Sequence, residues 1–129
     1  VEMHSEILKP GGYLVVSIPN YGHGSIYHAW LTRFRPEAIR MHNTAVMQKD
    51  RFLRLFQREV FECRYGNYLG LVDLSFLTAT HGSKAVTLTA TFCQLQTLLN
   101  VFFRLAIRKP RLESRIFSPQ LLFVGRKRQ

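Results

Sequence analysis

The side chains of this chain that can do chemistry are few and mostly polar. Asn20-Tyr21-Gly22-His23-Gly24 follows an apolar run and reads as a loop just beyond the carboxyl end of a strand. Binding and catalytic groups concentrate on such loops, and histidine is the side chain best suited to proton transfer near neutral pH. His42-Asn43 is a second polar pair, and Tyr65, Asn67 and Tyr68 form a third set at the end of another strand-forming run. His4, His23, His28, His42 and His81 show no metal-ligand spacing, so no metal site is expected. His23 and His28 are five positions apart, not the four that align two ligands on a helix face. Cys63 and Cys93 form no CxxC pair, which gives neither a zinc nor a redox motif and fits a reducing compartment. Gly22-His23-Gly24 resembles the start of a dinucleotide loop. Tyr27 stands where the third glycine belongs, however, and His42 and Asn43 stand where an acid is required.

Short elements must position these groups. Residues 1–8 read as the end of a helix, with Val1, Ile7 and Leu8 on one face, so a piece of a longer protein is expected. Lys9-Pro10-Gly11-Gly12 ends that helix through charge, a missing donor and glycine's tolerance of positive φ. Tyr13 to Ile18 is an apolar run without alternation, expected to be a strand buried on both faces. Ser25 is placed to cap a helix over 26–34, with Ile26, Trp30, Leu31 and Phe34 on one side. Residues 37–48 read as irregular. Lys49 to Gln57 is a second helix with Phe52, Leu53, Leu55 and Phe56 inward, and Val60 to Tyr65 is a strand followed by a turn or bulge over 66–70. From about Thr91 an amphipathic helix is expected, too often interrupted by Thr, Gln and Asn to span a membrane. Leu121 to Val124 is a last strand, also read as doubly buried.

The chain has 129 residues, one ordinary domain, and a formal charge of +10, which favours polyanionic partners. No signal-peptide pattern opens it.

Two segments together resemble the class I S-adenosylmethionine-dependent methyltransferases. Ile7-Leu8-Lys9-Pro10-Gly11-Gly12, with the strand to Ile18 and then Pro19-Asn20, is similar to that family's turn and fifth strand. Ser118-Pro119-Gln120-Leu121-Leu122-Phe123-Val124-Gly125-Arg126-Lys127 is similar to its last strand. Met41 to Met47, with its His-Asn pair, resembles a segment before the helix that packs on the fifth strand. The resemblance implies an α/β, Rossmann-like fold, of which residues 1–129 form the C-terminal part, with a helical insertion at about 76–115. It also implies that the closing strand runs antiparallel between the other two. The strand read at 13–18 would then leave one edge open, and the isolated chain is expected to self-associate.

The resemblance implies methyl transfer from S-adenosylmethionine to a small-molecule or lipid-like acceptor by the complete protein. The cofactor would be bound mainly by an N-terminal half that this chain does not contain, so the chain alone is expected to be inactive. Asn20, Tyr21 and His23, just beyond a strand's carboxyl end, are expected to line the acceptor side, with His23 the candidate base; by family analogy His42 and Asn43 lie near the acceptor lid. Cytoplasmic placement follows, with peripheral membrane contact through 91–115, where an apolar stretch precedes a basic run. The rival readings are a non-catalytic remnant or subunit and a basic nucleic-acid binder. The second is weakened because the basic residues are dispersed and no aromatic-and-basic recognition motif is present.

Overall fold

A computed structural model of the chain describes residues 2–56, 58–71, 73, 83–106 and 113–129. The described elements run α1 (Glu2–Ile7), β1 (Tyr13–Pro19), α2 (Ile26–Phe34), α3 (Pro36–Arg40), α4 (Lys49–Arg54), β2 (Phe61–Leu69), α5 (Ser83–Ala106) and β3 (Gln120–Lys127). They make a small α/β domain around a three-stranded sheet of order β1-β3-β2. β3 is antiparallel to both neighbours, so β1 and β2 run parallel to each other with the reversed strand between them. A parallel pair requires a long crossover, and α2, α3 and α4 fill the one from β1 to β2.

Local signals explain most boundaries. Lys9 O accepts from Gly12 N–H at 2.9 Å, and Gly11 N–H donates to Lys127 O, fastening the turn before β1 to the end of β3. Ser25 caps α2, its Oγ accepting from His28 N–H at 3.0 Å. Pro36 opens α3, where a missing N–H costs nothing.

The core lies on one face of the sheet. Leu14 of β1, Leu121 and Phe123 of β3 and Phe61 of β2 pack with Phe52 and Phe56 of the α4 segment. Phe56 stacks flat on Phe123 with ring centroids 3.7 Å apart, and Phe52 meets Phe56 edge-on at 5.2 Å. Gly125 makes room for this stack: a Cβ there would lie 2.5 Å from Phe123 Cζ.

Several expectations need correction. β1 is not buried on both faces. Leu14 is buried, but Tyr13 and Val15 are 58% and 63% exposed, because no described layer covers that face. β3 buries Leu121, Phe123 and Gly125, while Leu122 and Val124 are half-buried. An unbroken apolar run thus marked a central strand and an edge strand alike. Residues 36–40 form a helix rather than irregular chain, started by Pro36. β2 continues to Leu69, so Tyr65, Asn67 and Tyr68 lie within it, and the register shift falls between Cys63 and Tyr65 rather than over 66–70. The inward face of α2 is Tyr27 and Leu31, one turn apart, with Phe34 exposed. Leu55 and Ile7 also point outward. α5 begins at Ser83, eight positions before Thr91, and lies in the stretch read as an insertion. Val1, 74–82 and 107–112 lie outside the described residues, as do Arg108, Lys109 and Arg111 of the basic run. No helix among the described residues is long and apolar enough to cross a membrane.

Candidate functional site

The carboxyl ends of β1 and β2 meet the segment that leads into β3, and hydrogen bonds stitch the three together. Asn20 N–H donates to Pro119 O at 2.7 Å, and Ile26 N–H to Ile116 O at 3.1 Å. The Asn20 side chain is 1% exposed. Its Nδ2 donates to Arg115 O at 2.8 Å and to Ser118 O at 2.7 Å, while its Oδ1 is buried without a partner. Ser25 Oγ donates to Asn20 O at 2.9 Å, so the residue that caps α2 also holds the end of β1. Arg115 closes the seam from outside, its guanidinium donating to His23 O from Nε at 2.8 Å and also from Nη2.

Backbone approach fixes the loop after β1. A Cβ on Gly22 would sit 2.6 Å from Met47 O, so only glycine lets this loop press against the 44–47 turn. That contact brings Tyr21 edge-on to His42, with ring centroids 5.2 Å apart.

Inside this frame lies a cleft of about 240 Å³, lined by Ser17, Pro19, Tyr21, Tyr27, Asp73 and Gln120 among others. Tyr27 is 2% exposed and its hydroxyl is fully used, donating to Phe117 O at 2.8 Å and accepting from Asp73 N–H at 3.0 Å. Burial pushes its phenol up to about 12, with the Asp73 backbone bond working against the rise. Burial, and then the nearby Asp73 carboxylate, also raise the Tyr21 phenol. Tyr21 therefore keeps its proton and serves as a hydrogen-bond donor, while Asp73 supplies an anionic acceptor. The cleft thus brings a phenol and a carboxylate, groups suited to orienting a substrate and to moving its proton, to one surface.

Of the residues singled out from sequence, Tyr21 lines the cleft and His42 supports it from behind. Asn20 is committed to the seam beneath. His23 is exposed on the loop with its ring 4.2 Å from that of His28, and Asn43 is exposed, its carbonyl accepting from Val46 N–H. Burial, and then proximity to His23, lower the His28 pKa. Asp73 was missed. It is the lone acid between Glu62 and Glu113 and follows the end of β2, and these two signals would have found it.

A larger, open depression of about 970 Å³ lies at the other end of the sheet, against Phe61, Phe123, Arg54, Arg58, Glu59 and Arg128. Its charges are mixed and no phenol or histidine converges on it, so the smaller cleft is the better site. Among the described residues no group of three His, Cys, Asp or Glu side chains is placed to hold a metal ion, and both cysteines are free and exposed. No family model matches the chain, and no curated protein or solved structure does either.

Proposed function

We propose that this chain is the C-terminal part of a Rossmann-like methyltransferase domain, and that the complete protein moves a methyl group from S-adenosylmethionine to a hydroxyl or amine acceptor. One observation carries the reading: the order β1-β3-β2 with the central strand reversed. The resemblance of the Ile7 to Asn20 and Ser118 to Lys127 segments implies the same arrangement. The cleft at the carboxyl ends of the parallel pair supports it further, since α/β sheets bind their ligands there.

The Gly22-His23-Gly24 loop does not fit the methyl donor. Gly22 is packed on Met47 O, and Arg115 covers the His23-Gly24 backbone, so the loop offers no open cradle. In this reading the donor, which supplies an electrophilic methyl group, is held mainly by an N-terminal half outside this chain. What this chain contributes is the acceptor side. Tyr21 donates to the second lone pair of a hydroxyl acceptor, or accepts an N–H of an amine acceptor, and holds its direction. Asp73 receives the proton that the acceptor sheds. The Tyr27 to Phe117 and Asn20 to Ser118 bonds keep both in place.

Reading the coding DNA upstream of the Val1 codon tests this directly. The expected result is an open frame encoding a strand, a glycine-rich loop and an acid about twenty positions later. Protein made from that frame should transfer labelled methyl from S-adenosylmethionine. An extended frame without that loop, or a loop-containing protein that binds no S-adenosylmethionine, would overturn the proposal.

A further inference from the structure

α5 spans 24 residues, yet much of its apolar surface is not covered by the fold. Leu95, Leu98, Val101, Phe102 and Leu105 are exposed, from 45% to 75%. At about 100° per residue these five fall within an arc of about 120°. The half-buried Gln96, Leu99, Asn100 and Phe103 lie outside that arc, so the exposed stripe is a second face. Singly exposed apolar residues need no explanation, but a contiguous stripe marks a surface that something covers.

Charge identifies the occupant. From residue 74 to residue 112 the chain carries no Asp or Glu, against Lys84, Arg104, Arg108, Lys109 and Arg111. We propose that α5 lies in the plane of an anionic lipid surface, with Leu95, Leu98, Val101, Phe102 and Leu105 in the acyl boundary, and that the basic, acid-free sequence from 74 to 112 is what selects anionic headgroups. Two other partners answer only half of this pattern. Nucleic acid would meet the charge but leave Leu and Phe in water. A second copy of α5 would cover the stripe but bring another basic stretch with no acid to answer it. The helix is not long and apolar enough to cross the bilayer, which leaves the interfacial position open to it. This proposal does not depend on methyl transfer, and either can fail without the other.

The test is co-sedimentation of the full chain with phosphatidylcholine vesicles, with and without phosphatidylserine. Partition should rise about five-fold for each basic residue engaged, so Arg108→Gln with Lys109→Gln should lose about twenty-five-fold. Leu98→Gln with Phe102→Gln should lose roughly ten-fold or more while circular dichroism stays unchanged, because both side chains are exposed. Emission from Phe102→Trp should shift to shorter wavelength only on the anionic vesicles. Equal partition on both vesicles, no partition, or partition that survives Leu98→Gln with Phe102→Gln would overturn the proposal. So would a dimer in sedimentation velocity that the same double variant dissolves, without vesicle binding, because the stripe would then belong to a second copy.

Discussion

The Tyr27 hydroxyl accepts a hydrogen bond from the Asp73 backbone N–H at 3.0 Å, across 46 positions of sequence. This bond fastens Asp73, four positions past the end of β2, to the buried face of α2. It places the lone acid of that region beside Tyr21, in a cleft to which neither strand alone leads. The phenol that makes the bond is itself pinned to Phe117 O, so α2, the end of β2 and the approach to β3 share one anchor.

Tyr27→Phe removes both part-buried bonds, to Phe117 O and from Asp73 N–H. The expected cost is about 1–3 kcal/mol, read by urea denaturation. The wild-type phenol holds its proton more tightly when folded, with a pKa pushed up to about 12 against the ordinary 10.0. Its contribution to stability is therefore fully present below pH 10 and is lost as pH rises from there through about 12. The phenylalanine variant should lack that alkaline loss. An unchanged alkaline profile would show that another group controls it.

Asp73→Asn keeps the backbone N–H that binds Tyr27 and removes only the carboxylate. For the methyl transfer proposed above, kcat should fall by about 10²–10⁴-fold. Tyr21→Phe should act mainly through KM for the acceptor. Single-turnover rates measured across pH separate the two. Full activity in Asp73→Asn would return the base role to His23, and His23→Ala would then be decisive.

Asn20→Ala strips the donors from Arg115 O and Ser118 O in the seam under the cleft. The loss is partly offset because the unpartnered Oδ1 leaves as well. A net cost of about 2 kcal/mol is expected, with the acceptor KM unchanged in folded protein. A raised KM at unchanged stability would instead place Asn20 against substrate.

His28 should make the protein acid-sensitive. Burial and then His23 lower its pKa below the ordinary 6.5, so the unfolded chain takes up a proton more readily than the folded one. Its stabilising contribution is present above pH 6.5 and declines as pH falls through the depressed folded value. Nuclear magnetic resonance titration of the His28 ring should give a midpoint below 6.5. His23→Ala should move that midpoint upward, and a midpoint insensitive to His23 would separate the two rings electrostatically.

Sequence by itself determined the features that neighbouring residues decide. The Lys9 to Gly12 turn, the start of β1 at Tyr13, the Ser25 cap and the α4 helix are written in proline, glycine, capping oxygens and spacing, because each depends on φ or on a partner within a few positions. The order β1-β3-β2 was legible only through resemblance, in the segments 7–20 and 118–127. Tertiary structure decided which side of each element faces inward. Tyr13 and Val15 look no different in composition from Leu14 and Val16, yet they point outward because the core lies on one side of β1 alone. It also decided the site. Asn20 joins Ser118 across 98 positions and Asp73 joins Tyr27 across 46, and no local rule selects such pairs. Packing selects them, by bringing buried donors and acceptors to where each must find a partner.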